Sequence, residues 1–211
     1  MKKIKDIILL NKSTNSILTH RGKSFMYISF IMLFVSYIIG TILGSNINFA
    51  LSNKAATIIK YIFDDTKIDY TASFIELLLN SVSSTMIYFI LSMFLGFSSI
   101  GYLFIYIIVF TNGVGYGLNQ IQLFYQNSLN KNYYFLAVNS FFNIACAIII
   151  IFCCKQSIKM SCSICQKSFM RNYKTNEYTI SLNSYIIKYL IYSLILFLLN
   201  LMRIFLIKIF I

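Results

Sequence analysis

The sequence predicts an all-α membrane protein, a bundle of about five transmembrane helices with an outer amphipathic helix between the first and second spans. Three observations carry that reading. From Leu77 to Asn130 there is no Asp, Glu, Lys or Arg, a gap wide enough for two crossings and a hairpin, since one span needs roughly 20 apolar residues. Hydrophobic residues make up 58% and charged residues 11% of the chain, with a mean hydropathy of +0.74; soluble surfaces need more charge than this. Finally, the net charge of +12 sits at the flanks of apolar runs, where it orients spans in a membrane. It forms no aromatic-interleaved patch of the kind nucleic acid requires, so no nucleic-acid partner is expected.

Residues 1–24 form a basic segment with Lys2, Lys3, Lys5, Lys12, Arg21 and Lys23 against Asp6. Its short apolar stretch is interrupted by Lys5 and Asp6, so no cleavable signal peptide is expected and the first span is retained. Four apolar runs then make a core over 25–154: 25–45, 74–95, 100–118 and 133–154. The second and third are separated only by Gly96–Ser99, which predicts a tight helical hairpin of two full crossings. A fifth span and a tail occupy 182–211.

Two connections carry patterns of their own. Ile47, Leu51, Ala55, Ile58 and Ile62 recur at helical spacing, which predicts an amphipathic helix at the outer interface. Segment 155–181 places Ile158, Cys162, Cys165 and Phe169 on one stripe among Lys155, Lys159, Lys167, Arg171 and Lys174. That suits a cytoplasmic helix resting on anionic lipid. The loop 46–73 balances its charges and 119–132 offers only Lys131. The positive-inside rule then places a multi-pass protein with its N-terminus in the cytoplasm and its C-terminus outside. Arg203 and Lys208 follow the last span on the outer side, where long stems snorkel to water.

Small residues mark helix contacts. Ser36, Gly40 and Gly44 are spaced four apart in the first span, and Gly113 and Gly117 repeat the interval in the third, with Gly115 between them. Gly96 and Gly101 bound the hairpin. Such spacing lets backbones approach closely. It serves either packing inside the bundle or a contact with a partner protein or a second copy, which would make a homo-oligomer. Asn80, with Ser81, Ser83 and Ser84, and Asn112, Asn139 and Asn143 are amides in apolar surroundings. They are expected to face the interior and bond across helices, or to line a path for a small polar solute.

Chemistry has little to work with. Cys162 and Cys165 form a CxxC near Cys153 and Cys154, a thiolate set that suits zinc, but no second CxxC lies at the required distance. On an apolar stripe, cysteine is a small hydrophobe. The single histidine is His20, no Asp follows Asp69, and no HExxH, GxSxG or P-loop occurs, so neither an enzyme nor a cofactor is expected.

The order of elements resembles the stage II sporulation protein M family of bacterial membrane proteins over roughly residues 25–155. The resemblance rests on GTILG at the end of the first span, LSNKAATIIKYIF in the outer segment and FIELLLNSV entering the second span. It also takes in the hairpin LGFSSIG and the third-span ending FTNGVGYGL, of which NG-x-G-x-G is the most specific part. Relatives often carry prolines after the hairpin glycine and before the fourth span; this chain has none. The resemblance implies a non-catalytic scaffold. Its sporulation members assemble with membrane-anchored cell-wall hydrolases at the septum during engulfment. Other relatives accompany ATPase and circular-bacteriocin proteins in maturation, export or immunity. Against these stands a small transporter subunit, which is disfavoured because the sequence places no coupling residues in mid-membrane, where transporters usually carry ionisable groups.

Overall fold

A computed structural model describes residues 26–46, 73–130, 133–169 and 181–210. Segment 1–24, with His20, and the outer amphipathic stretch 47–70 lie outside these residues. The described chain is helical throughout: α1 (Met26–Asn46), α2 (Phe74–Gly96), α3 (Gly101–Asn130), α4 (Tyr133–Phe169) and α5 (Leu182–Phe210). Each contains an apolar window long enough to cross a membrane.

Local signals set the ends of α2. Ser73 accepts from the Glu76 amide while Glu76 accepts from the Ser73 amide, a capping box that satisfies two donors otherwise left open. At its other end the chain reverses within 97–100. The amides of Phe97 and Ser98 bond the carbonyls of Phe94 and Leu95, and Gly101 bonds Ser98 at 3.2 Å. A Cβ on Gly101 would strike the Leu95 carbonyl oxygen, so glycine is what allows a turn this short.

α4 is the centre of the bundle, packed against α2, α3 and α5, while α2 also contacts α3 and α5. Two apolar clusters share it. One joins Leu33 of α1 and Ile105 and Val109 of α3 to Ile150, Ile151, Cys154 and Ile158. The other joins Phe89 of α2 and Tyr185, Tyr189 and Leu196 of α5 to Cys146, Cys153 and Met160. The outward faces of α1, α2 and α5 carry large exposed apolar side chains, among them Ile31, Leu79 and Leu194, as lipid-facing helices do.

Three boundaries differ from the sequence expectation. α3 continues to Asn130, through the stretch expected as the loop 119–132. α4 continues to Phe169, so the connection expected over 155–181 is, as far as Phe169, the end of the fourth span's own helix. At 37 residues, α4 is about 55 Å long against a hydrocarbon thickness of about 30 Å. Its stripe also faces a different way. Ile158 is buried and Cys162 packs on the first cluster, so this side meets protein instead of lipid. Hydropathy fell at Lys155, but nothing in 155–169 breaks a helix, and the α2–α3 turn supplies a surface to cover. α5 continues to Phe210, which carries Arg203 inside the helix instead of beyond it.

Candidate functional site

The interior holds three contact layers, each built from small or polar residues. The first joins α1 to α3. A Cβ on Gly40 would strike the carbonyl oxygen of Phe110, and one on Gly44 that of Val114. On the facing helix, Gly113 and Gly117 lie equally close to the carbonyls of Tyr37 and Thr41. Ser36 adds a hydrogen bond from its hydroxyl to the Tyr106 carbonyl at 3.1 Å. The two glycine pairs therefore pack against each other within one chain, the intramolecular alternative of the two the spacing left open. Gly115 is half-buried, and two positions along a helix turns it away from the side used by Gly113 and Gly117.

The second layer joins α2, α4 and α5. Arg203, only 6% exposed, donates through Nη1 to the Ser81 hydroxyl at 3.2 Å. Ser81 in turn donates to Oδ1 of Asn200 at 2.6 Å. The Asn200 amide nitrogen reaches Thr85 Oγ1 and the Leu196 carbonyl, and lies 4.0 Å from Cys146 Sγ. Arg203 thus turns inward to a serine of α2 instead of snorkelling outward. Its position one turn beyond Asn200 places both on the same side of α5. A guanidinium is costly in hydrocarbon unless donors find acceptors, and Ser81 meets part of that need.

The third layer lies about three turns of α2 nearer the hairpin, at Ser92. Tyr189 and Ser157 share a hydrogen bond, and Tyr189 also reaches Ser92 and the Cys153 carbonyl. Tyr185 bonds Ser157 and donates to the Met93 carbonyl. Its hydroxyl lies against Gly96, where a Cβ would collide with it. Beyond this layer, Ser161 donates to the Ser98 carbonyl and accepts from the Tyr102 amide. The extension of α4 is thereby fastened across the α2–α3 turn.

The expected amides divide. Asn80 is exposed on α2, contrary to the expectation that it faces inward; Ser81, one position on, takes the interior place. Asn112 and Asn143 are half-buried. Asn139 is 1% exposed, but its amide finds no hydrogen-bond partner among the described residues, so it does not bond across helices as expected. Cys162 and Cys165 are half-buried free thiols, and among the described residues no three His, Cys, Asp or Glu side chains gather around a common point.

Sequence reasoning missed Asn200, Arg203, Tyr185 and Tyr189. A usable signal was present: Asn200 is the one amide between Tyr185 and Met202, with Arg203 three positions on, and Tyr185 and Tyr189 are four apart.

Five long apolar helices joined by buried polar layers define an α-helical, multi-pass membrane protein. The chain matches no protein-family model, no curated protein and no solved structure.

Proposed function

We propose that this protein is a non-catalytic membrane scaffold of the stage II sporulation protein M type, holding membrane-anchored cell-wall-remodelling partners in place. The supporting observation is that buried polar side chains of α2, α4 and α5 hydrogen-bond one another across helices. Ser81 with Asn200, and Ser92 and Ser157 with the two tyrosines, form cross-links between helices. Such links fix relative helix positions and suit a rigid platform whose partners dock on its outer surface. In this reading the N-terminus is cytoplasmic, as the basic flanks argue. A topology reporter fused at Asn172 should report the cytoplasm; an external signal would reverse the orientation.

Buried Arg203 favours a second reading, a small transporter or a subunit of bacteriocin export, because interior ionisable groups mark substrate paths. One comparison separates the two. Crosslinking in intact membranes followed by isolation of the full-length protein should recover a membrane-anchored cell-wall hydrolase. The purified chain in vesicles should move no ion or solute faster than empty vesicles. A specific flux from the chain alone would replace the scaffold reading.

A further inference from the structure

The outward stripe of α4 changes character along its length. Phe141, Ile144, Ile148 and Phe152 are all exposed. At 100° per residue, Lys155 and Lys159 continue the same stripe. One side of one unbroken helix is thus apolar over four positions and then carries two ammonium groups, with Cβ atoms about 6 Å apart. The other side of α4 over this length, with Ile150, Cys154, Ser157, Ile158 and Ser161, is buried against protein. Lys155 and Lys159 lie on the opposite side of the extension and are half-buried.

α1 forms a wall beside them. Lys155 Nζ stands 4.2 Å from the centre of the Phe30 ring, and that ring packs on Phe152 and Phe34 at 5.4 and 5.0 Å. The ring face attracts the ammonium group and holds it beside α1. Lys155 lies two residues before Ser157, which faces Gly96, and six before Ser161, which bonds the α2–α3 turn. This puts the two lysines at the level where the hairpin leaves the hydrocarbon. Glu76 is the sole acidic residue among the described residues, and it caps the far end of α2. Among the described residues these lysines meet no carboxylate, and a lipid headgroup is a counter-charge of the right chemistry for this depth.

We infer that the face of α4 beside α1 is a binding site for an anionic phospholipid, with its phosphate between Lys155 and Lys159 and an acyl chain along Ile144, Ile148 and Phe152. Each basic residue near a membrane surface strengthens binding of an anionic lipid about fivefold, so the pair is worth roughly 30-fold. This site is independent of whether the protein is a scaffold.

The test uses the full chain extracted from vesicles of phosphatidylcholine with and without phosphatidylglycerol, with retained lipid counted by native mass spectrometry. The wild type should keep one phosphatidylglycerol in preference to phosphatidylcholine. The double variant Lys155→Gln, Lys159→Gln should lose that preference by roughly 30-fold, while Lys208→Gln, at the exposed far end of α5, should keep it. Thermal unfolding in pure phosphatidylcholine checks the fold, and Lys155→Arg, Lys159→Arg should retain the lipid should the Gln variant unfold. Undiminished preference in a folded double variant would overturn the site. So would loss in the Arg pair, equal loss in Lys208→Gln, or displacement of the lipid by soluble glycerol phosphate.

Discussion

Replacing Gly113 with Leu should separate α1 from α3 and cost the protein at least about 3 kcal/mol, the upper end of the usual range for overpacking. The atoms in the way belong to the backbone of α1, at Tyr37 and Thr41, and a helix backbone cannot swing aside as a side chain does. The variant must move one whole helix, which also breaks the Ser36–Tyr106 hydrogen bond. The check is a thiol crosslink between cysteines placed at Ser36 and Tyr106, measured with the thermal unfolding midpoint. Wild-type background should crosslink readily and the Gly113→Leu background should not. Val35→Leu, on the 42% exposed outer side of α1, should leave both readings within about 0.5 kcal/mol of the parent. Retention of the crosslink at unchanged stability in Gly113→Leu would show that α1 does not lie where its glycines place it.

The second large effect is expected at Ser81. Its hydroxyl accepts from Arg203 and donates to Asn200, so Ser81→Ala removes two hydrogen bonds together, one of them to a cationic donor. Hydrogen bonds to charged groups contribute about 1.5–3 kcal/mol, whereas interhelical bonds in membranes average about 0.6 kcal/mol. Because two hydrogen bonds are lost together, a loss of about 2 kcal/mol is expected. Ser83→Ala serves as the comparison, since its hydroxyl is exposed and bonds only the Asn80 carbonyl of its own helix. It should change stability by no more than about 0.5 kcal/mol. A double-mutant cycle between Ser81→Ala and Asn200→Leu should show coupling of at least about 0.5 kcal/mol, as contacting residues do. Equal losses from Ser81→Ala and Ser83→Ala would remove the polar layer from the account of stability.

How far the sequence spoke for itself varied with the physics involved. Spans were legible because hydropathy is summed over many residues, and each of the five survives as a helix. The glycine seam was legible as a spacing, since small residues four apart define a side without knowledge of the partner. What the spacing left open was which helix meets which, because that depends on tertiary arrangement. Helix ends were misjudged where polarity and helicity part company. Polar residues leave hydrocarbon but do not stop a helix, and the chain has no Pro to mark where α3 or α4 should end. Asn80 and Ser81 show the finer limit. They are adjacent and both polar, yet one step of 100° exposes the first and buries the second. Only the position of Asn200 on another helix decides between them. Arg203 was misplaced for the same reason, since a basic residue near a span end snorkels unless a partner such as Ser81 lies inward.

The contact between Ser36 and Tyr106 spans 70 positions of sequence, and that separation has a consequence for biogenesis. Chains are synthesised at roughly 5–20 residues per second, so α1 enters the bilayer several seconds before α3 exists to receive it. Through that interval Gly40 and Gly44 face lipid, and the nascent protein presents an uncovered helix groove that the finished fold hides. Insertion of the α2–α3 hairpin then closes the groove in one step, which makes docking of the first helix a late event in assembly despite its early translation.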